Sequence, residues 1–291
     1  MNKAIGVDRS ELIDELTDQL GARHEARFIV EDMAGHDARA DITSEAVASA
    51  RALAGRRVAG EPLQYLLGHW SFRSLDLLVD RRVLIPRPET EVVVEVALRE
   101  LALLNASAPT VVDAGTGSGA IALSLATELA ASHPGGAVWA VDVSADALCV
   151  AAENLERTGA LASDMLPVTL VQGSWLSALP DELRGSIDLV VSNPPYVAIG
   201  EWDELSVEVR QEPRGALLAQ DAPDGTPGLA DVVAVLEQSL EWLARPGAAV
   251  IELAPHQAEA AAAIATSMGF LAVRVEPDLT LRPRALVGRV A

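Results

Sequence analysis

The sequence predicts an α/β fold: a mostly parallel sheet whose last strand pair is antiparallel, preceded by a small all-α bundle and a β-hairpin linker. From about residue 110, short apolar runs alternate with stretches of helical apolar spacing, as in successive strand–helix units. The chain ends in two strand-like runs with a short connection, which favours an antiparallel pair. We therefore expect a helical domain over residues 1–68, a hairpin over 69–84 and an α/β domain over 85–291.

The first domain contains short helices up to about residue 66. Asp8, with Glu11 three residues later, resembles a capping box and predicts the start of the first helix. The second apolar stripe ends at Gly35, and the third begins near Thr43 and ends before Gly55. Because this region precedes the predicted ligand-binding domain and carries no catalytic pattern, we expect it to dock the substrate.

A hairpin and a helix follow. The short alternating runs of Trp70–Leu84 predict two strands. Pro86–Glu91 then leads into a helix with acidic residues in its first turn, where the helix dipole favours negative charge. Glu89 and Glu91 are either such helix-start charges or groups at a ligand site, and the sequence does not choose between these interpretations.

A glycine-rich turn joins the next strand to the helix Ala120–Leu129. Such a junction brings backbone N–H groups and a helix N-terminus close to a ligand. The spacing is G-x-G-x-G and not the G-x-G-x-x-G of dinucleotide folds. The predicted ligand-binding residues of this turn are Gly115, Thr116, Gly117, Ser118 and Gly119.

Two further residues fall at the same sheet edge. The strand Ala137–Val141 ends in Asp142, at about the distance downstream where an acid binds ribose hydroxyls. No arginine lies nearby, which favours an unphosphorylated ribose. A third strand, Pro167–Val171, leads to Trp175, which either flanks an aromatic ring or covers the sheet end.

The helix between these strands, Ser144–Arg157, carries the only cysteine of the chain. Leu148, Cys149 and Leu155 recur at helical spacing, so we expect Cys149 in the core. It has no basic or histidine partner in the sequence that would indicate a nucleophile.

A stiff, acceptor-rich loop follows the buried strand Ile187–Ser192. Pro194 and Pro195 have fixed φ and no N–H, and Asn193 before them is pushed towards extended backbone. The Asn193 side-chain oxygen and the Pro194 carbonyl could accept both hydrogens of a planar NH2 group, with the Tyr196 ring against its face. We therefore predict a clamp for a conjugated amine or amide, the alternative being an ordinary turn after a strand.

The stretch from Val197 to about Gly228 is predicted to be a long loop that covers the site. The pattern then resumes with two helices and three strands. The predicted bounds are 229–243 and 257–268 for the helices and 248–253, 270–275 and 285–290 for the strands.

Composition limits the classes of function. The 291 residues include 42 acidic and 22 basic ones, a net charge of −20, which argues against broad contact with a phosphate backbone. No apolar run is long enough to span a bilayer, and Met1–Asp8 show no apolar leader. We expect a cytoplasmic monomer without a metal, a membrane partner or a stable nucleic-acid partner.

These motifs carry a family resemblance. Val112–Gly119 with Asp142 resembles the class I S-adenosylmethionine-dependent methyltransferases, which have a Rossmann-like seven-stranded sheet ending in an antiparallel pair. Asn193–Tyr196 resembles the signature of members that methylate planar nitrogens, either adenine N6 or glutamine N5. The whole chain is similar to the release factor glutamine methyltransferases of the HemK/PrmC type. The supporting segments are Glu61–Gly68, Leu84–Glu91, Ser174–Trp175 and Glu212–Leu217.

The resemblance implies S-adenosylmethionine as the cofactor, held by Gly115 to Gly119, Asp142, Trp175 and Asn193. It implies that Asn193 to Tyr196 hold the glutamine of the Gly-Gly-Gln motif of peptide chain release factors, with Asn193, Pro194 and Tyr196 as the catalytic residues. The chain departs from the family near its end, where residues 278–284 lack the usual glycine before the arginines. That departure puts the last turn in doubt.

Three alternatives remain open at the level of sequence. A ribosomal-protein glutamine methyltransferase would share the clamp and differ in docking. An adenine-N6 methyltransferase of nucleic acid would need a route to an unstacked base and a phosphate-binding surface, which the acidic balance disfavours. A non-catalytic cofactor-binding scaffold is the least favoured, because the clamp and the glycine turn are both intact.

Overall fold

The computed structural model describes residues 8–35, 42–162 and 164–291. The chain forms two compact units. The first contains the described residues up to His69 together with Ser206–Gln211, and the second contains Trp70–Leu205 and Glu212–Ala291. Met1–Val7, on which the expectation of a missing leader rests, lie outside the described residues.

The first unit is helical. Its helices are α1 (Arg9–Leu20), α2 (Arg23–Ala34), α3 (Ser44–Val58) and α4 (Leu63–Leu67). The predicted cap at the start of α1 is confirmed, because Asp8 accepts from the N–H of Ser10 at 2.7 Å. Thr43, near which the third helix was predicted to begin, caps α3 by accepting from the N–H of Ala46 at 3.1 Å. The predicted end of the third helix was wrong, because α3 continues through Gly55. A single glycine costs a helix only about 1 kcal/mol, so it need not end one.

The apolar stripes of these helices meet in one core. Its fully buried members include Leu12 and Leu16 of α1, Ile29 and Val30 of α2, and Ala50 of α3. Ser206–Gln211 belongs to the same unit, where Glu208 forms an ion pair with Arg57 at 2.5 Å.

The strands, which lie in the second unit except for the first residue of β1, begin with a hairpin and then build one large sheet. In chain order they are β1 (His69–Phe72), β2 (Leu75–Leu78), β3 (Thr110–Ala114), β4 (Ala137–Asp142), β5 (Val168–Gln172), β6 (Ile187–Ser192), β7 (Val197–Ala198), β8 (Leu218–Ala219), β9 (Leu243–Glu252), β10 (Leu271–Pro277) and β11 (Pro283–Val290).

The seven-stranded sheet has the order β10-β11-β9-β6-β3-β4-β5. Strands β9, β6, β3, β4 and β5 are parallel, and β11 runs antiparallel to both of its neighbours. The predicted fold class is confirmed. Because the carboxyl ends of parallel strands share one edge, the turns after β3, β4, β5, β6 and β9 lie together.

Helices cover both faces of this sheet. The α-helices of the second unit are α5 (Pro88–Leu104), α6 (Ala120–Leu129), α7 (Ala145–Leu161), α8 (Arg214–Leu217), α9 (Ala230–Trp242) and α10 (Ala258–Ser267). One apolar core packs α5 and α6 against the sheet, and a second packs α9 and α10 against it.

Helix α7 turns a different face inward than the sequence predicted. Cys149 is exposed, and the buried positions are Ala147, Val150, Ala151, Asn154 and Thr158. Asn154 fixes this rotation because its amide exchanges two hydrogen bonds with the backbone of Leu78, at 2.7 and 3.0 Å, and also donates to the carbonyl of Ser118 at 2.9 Å. A buried polar side chain with three partners outweighs the apolar periodicity that placed Cys149 in the core.

The stretch after Tyr196, predicted as a long loop, contains short elements. Besides β7, α8 and β8 it forms 3-10 helices over Ile199–Glu204 and Val209–Gln211. Parallel pairing of β7 with β8 brings the beginning and the later part of this stretch together.

The turn between β10 and β11 is ordered by Asp278. Its carboxylate accepts from the N–H groups of Thr280 at 2.8 Å and Arg282 at 3.1 Å and from the Thr280 hydroxyl at 2.6 Å. These hydrogen bonds lower the pKa of Asp278 to about 2. Leu281 takes a φ of 64°, a left-handed conformation that glycine adopts without strain.

Among the residues that the structure describes, no helix is both long and apolar enough to cross a bilayer.

Candidate active site

A cavity of about 540 Å³ lies at the carboxyl edge of the sheet within the second unit. This volume is within the roughly 300–1,000 Å³ of small-molecule sites. Most predicted site residues line it: Gly115, Thr116, Gly117, Ser118, Asp142, Trp175, Asn193 and Pro195. Gly119, Pro194 and Tyr196 are not among the lining residues.

The glycine turn after β3 depends on left-handed backbone. Gly115, Gly117 and Gly119 have φ values of 83°, 55° and 85°. A Cβ on Gly115 would stand 3.1 Å from Cζ3 of Trp175, so this glycine lets the indole lie against the turn. A Cβ on Gly119 would stand 3.1 Å from Cδ1 of Leu123, so Gly119 serves the packing at the start of α6.

Asp142 connects the end of β4 to this turn. Its Oδ2 accepts from the N–H of Gly117 at 2.8 Å and its Oδ1 from the N–H of Ser144 at 2.9 Å. Burial raises the pKa of Asp142, and the hydrogen bonds from Ser144 and Gly117 oppose that rise. An ionised carboxylate has about four acceptor positions, so this one retains capacity for hydroxyl groups in the cavity.

A second carboxylate, Asp113, lies fully buried behind the turn. Its Oδ2 accepts from the Thr116 hydroxyl at 2.6 Å and from the N–H of Ala122 at 3.0 Å. Burial raises the pKa of Asp113 to about 7, and the charge of Asp142 adds to the rise. Asp113 therefore joins β3, the turn and α6, a role that its position inside the glycine motif did not reveal.

Asn193, at the end of β6, belongs to a chain of hydrogen bonds that sequence reasoning missed. Its Nδ2 donates to Oγ1 of Thr90 at 3.2 Å, and the Thr90 hydroxyl donates to Oε2 of Glu252 at 2.7 Å. Thr90 is 4% exposed and Glu252 is fully buried. Glu252 ends β9, so the rule that singled out Asp142 at a strand end would also have singled out Glu252.

The backbone after Asn193 is held from a different element. The side chain of Gln257 donates to the Tyr196 carbonyl at 2.9 Å and to the Pro227 carbonyl at 3.1 Å. Burial raises the pKa of Tyr196 to about 12, and the charge of Glu252 adds to the rise. The Tyr196 phenol is therefore neutral near pH 7.

Glu89 and Glu91, at the start of α5, were interpreted either as helix-start charges or as groups at a ligand site. Oε1 of Glu91 accepts from the N–H of Arg73 at 3.0 Å, so Glu91 ties the hairpin to α5. Glu89 is half-buried, and its charge raises the pKa of Glu252. Thr90, between them, reaches the cavity.

The stretch after Tyr196 contributes one wall of the cavity, through Pro213, Gly215, Ala216 and Leu218. The buried Glu212 anchors it: its carboxylate accepts from the N–H of Ile85 at 3.0 Å and forms an ion pair with Arg87. In residues 8–35, 42–162 and 164–291, no group of three or more His, Cys, Asp or Glu side chains could hold a metal ion.

The comparisons with known proteins agree with this geometry. Residues 96–210 match the family model described as "Methyltransferase small domain". The release factor glutamine methyltransferase of Moorella thermoacetica is 42% identical over 80% of this chain and 76% of its own length. That of Bordetella pertussis is 40% identical over 92% of this chain and 95% of its own length. The chain belongs to the release factor glutamine methyltransferase family.

A solved structure shows the same fold at lower identity. The hMettl16 catalytic domain, in complex with the MAT2A 3'UTR hairpin 6, aligns with a TM-score of 0.53 at 15% identity, covering 85% of this chain and 82% of that one.

As a member of this family the protein is a methyltransferase, and its methyl donor is S-adenosylmethionine. The residues present fit that cofactor. The turn at Gly115 and Gly117 permits a close approach, Asp142 offers acceptors to ribose hydroxyls, and Trp175 presents an aromatic face to the same cavity. The role of each residue stays a prediction.

Proposed function

We propose that this protein transfers the methyl group of S-adenosylmethionine to N5 of the glutamine in the Gly-Gly-Gln motif of peptide chain release factors. The proposal rests mainly on one observation: Asn193 and Pro195 line the same cavity as the glycine turn, Asp142 and Trp175. Two residues of the predicted clamp thus line the same cavity as the predicted cofactor site, which supports the proposal. The names of the relatives supply the class of substrate.

In this proposal the residues that would hold the cofactor follow β3, β4 and β5. Asp142 would accept from its ribose hydroxyls, the turn at Gly115 would admit it close to the backbone, and Trp175 would offer it an aromatic face. When bound, S-adenosylmethionine supplies an electrophilic methyl group on a sulfonium.

The clamp compensates for the weak nucleophilicity of an amide. The nitrogen lone pair is delocalised into the carbonyl, as the rotation barrier of roughly 18–20 kcal/mol in peptides shows. Oδ1 of Asn193 and the carbonyl of Pro194 would accept hydrogen bonds from the two N–H groups, which would stabilise the positive charge that grows on nitrogen. The S–CH3 bond breaks as the N–CH3 bond forms, and the nitrogen gives up one of its two hydrogens as a proton to water. The neutral Tyr196 ring would limit the tilt of the amide and so help to fix the direction of its nitrogen.

Docking of the protein substrate is a separate part of the proposal. We assign it to the helical unit, residues 1–68, and to the stretch after Tyr196. We further propose that the protein acts as a cytoplasmic monomer, without a stable nucleic-acid or membrane partner, in keeping with its net charge of −20.

One assay tests the substrate. Purified protein is incubated with methyl-labelled S-adenosylmethionine and, in parallel, with a release factor, the same release factor carrying alanine for the motif glutamine, a ribosomal protein, and an oligonucleotide containing adenine. We expect label only in the unaltered release factor, on glutamine N5 by mass spectrometry. Label in the alanine-substituted factor, or in another substrate instead, would contradict the proposal.

A further inference from the structure

The Thr90 hydroxyl stands between the clamp and a buried charge. It receives the Asn193 amide hydrogen at 3.2 Å and gives its own hydrogen to Glu252 at 2.7 Å. The three residues lie on three elements, since Thr90 is in the first turn of α5, Asn193 follows β6 and Glu252 ends β9.

The direction of this chain follows from the chemistry of its last member. An ionised carboxylate can only accept hydrogen bonds, so the single hydroxyl hydrogen of Thr90 goes to Glu252. Oγ1 of Thr90 is then left with acceptor positions only, and its other partner must be a donor. That donor is the NH2 group of Asn193. The side-chain oxygen of Asn193 is consequently the atom of the amide that remains to accept a hydrogen bond from a ligand in the cavity.

We propose that Thr90 is a positioning residue that sets the Asn193 amide with its oxygen towards the substrate, and that Glu252 fixes the direction of the chain. The inference rests on the proposed function, because the substrate is taken to present an NH2 group. Nitrogen and oxygen of an asparagine have nearly the same shape, so packing alone does not choose between the two orientations. A reversed amide would set an NH2 group against the substrate NH2 group, two donors without an acceptor.

The surroundings of Glu252 make the chain sensitive to pH. Nη1 of Arg284 lies 3.8 Å from Oε1 of Glu252, which has no hydrogen-bond partner in the described structure. Burial raises the pKa of Glu252 to about 7; the Thr90 hydrogen bond and the charges of Arg284 and Arg87 lower it, and Glu89 raises it. The Tyr196 phenol, which also faces Glu252, is neutral in this range because of its raised pKa.

The sign of the pH effect follows directly. Above about pH 7 the carboxyl of Glu252 is ionised and holds the direction described. Below that pH the carboxyl gains a proton and can donate to Thr90, whose hydrogen is then free to turn to the oxygen of Asn193. The acceptor is lost from the cavity, and methyl transfer falls as the pH falls.

The test compares Thr90→Val, which removes the hydroxyl at nearly constant shape, with Thr90→Ser, which keeps it. We expect Thr90→Val to lower kcat for a release factor about 10- to 100-fold, less than the roughly 10²- to 10³-fold for loss of a polar group at the reacting centre itself, because Thr90 acts through Asn193. Thr90→Ser should stay within about threefold of the wild type. Both should bind S-adenosylmethionine within about threefold of the wild type by calorimetry.

Thr127→Val is the matched control. It removes a half-buried hydroxyl that donates to the Leu123 carbonyl at 2.8 Å, away from the cavity, and should leave kcat unchanged. The acid limb of kcat, with a midpoint near pH 7, should be present in the wild type and in Thr127→Val and absent in Thr90→Val. A Thr90→Val enzyme with the wild-type kcat and acid limb would overturn the inference.

A second readout does not depend on turnover. The side-chain amide resonances of Asn193, assigned by their loss in Asn193→Asp, should exchange slowly with solvent in the wild type and in Thr90→Ser and faster in Thr90→Val. Equal exchange in all three would reject the hydrogen-bond chain even if the release factor is methylated. Slow exchange in a wild type that does not methylate release factors would leave the chain standing and reject the proposed function.

Discussion

The turns after β3 and β6 lie next to each other but differ in backbone conformation and in the groups that they offer to a ligand. The two strands are paired in parallel, with Ala114 opposite Ser192, so both turns begin at the same level of the sheet. The first turn uses three left-handed glycines and backbone N–H groups. The second uses two prolines, which have fixed φ and no N–H, after a single asparagine.

This difference separates local from distant information. The hydrogen bonds of the glycine turn reach residues that follow soon after it, since Asp142 is 25 residues from Gly117 and Asn154 is 36 residues from Ser118. The orientation of Asn193 depends on Thr90, which lies 103 residues before it in the sequence. Through Thr90 it also depends on Glu252, which lies 162 residues after Thr90. A binding turn can thus be recognised from its local sequence. The orientation of a side-chain acceptor can be recognised only when its partners, distant in sequence, are known.

Asn193→Ala changes only the turn after β6, and it should have the largest effect on activity. We expect kcat to fall about 10²- to 10³-fold, the scale for loss of one preorganised polar group at a reacting centre. Affinity for S-adenosylmethionine should change only a few-fold, as measured by calorimetry on the same preparation. A variant with near-normal turnover would reject the clamp.

Asp142→Ala should act on the turn after β3 alone. We expect the Kd for S-adenosylmethionine to rise about 10- to 100-fold, because hydrogen bonds to a charged group contribute about 1.5–3 kcal/mol. At saturating cofactor kcat should remain within a few-fold of the wild type. Asp142→Asn keeps one acceptor oxygen, so its Kd for S-adenosylmethionine should lie between those of the wild type and Asp142→Ala. An unchanged Kd in Asp142→Ala would show that this carboxylate only supports the N–H groups of Gly117 and Ser144.

Gly115→Ala tests the conformational requirement of the same turn. The added methyl group meets a φ of 83° and the Trp175 ring at 3.1 Å, so the free energy of unfolding should fall by about 1–2 kcal/mol. Urea titration followed by circular dichroism measures this change. Gly200→Ala is the control, because a Cβ there meets nothing within 4 Å and its φ is not positive. Equal stability of the two variants would contradict the assignment of strain.

Leu281→Gly should have the smallest effect and the opposite sign. Leu281 is 83% exposed and takes a φ of 64°, so glycine should raise the free energy of unfolding by about 0.5–1 kcal/mol. Leu279, in the same turn and 93% exposed, has no positive φ, and Leu279→Gly should lower stability by a similar amount. Equal shifts in both variants would remove the argument from backbone strain.

The sequence allowed the order of strands and helices to be predicted wherever a pattern was local. The strand Ile187–Ser192 and the helix Ala120–Leu129 have the predicted bounds. Cys149 was misplaced because the rotation of α7 is set by Asn154, whose partners Leu78 and Ser118 lie in other elements. The contact between Thr90 and Glu252 was missed for the same reason, since nothing near either residue in sequence indicates the other, although Glu252 alone could have been singled out by its position at a strand end.

The last turn shows how a departure from the family pattern is accommodated. The chain lacks the usual glycine there, and a leucine occupies the left-handed position. Asp278 holds the turn through three hydrogen bonds, so the antiparallel pair of β10 and β11 forms despite this strain. The doubt raised at the level of sequence therefore concerns stability and not topology.

The path of the chain between Leu205 and Glu212 limits how relatives of this protein can be recombined. A chimaera that exchanges only the amino-terminal residues would retain the native Ser206–Gln211, a piece of the old first unit, inside the new one. Glu208 would then face whatever residue replaces Arg57. A chimaera with an intact first unit should therefore transplant two separate stretches of sequence, and natural variation in one should be matched by variation in the other.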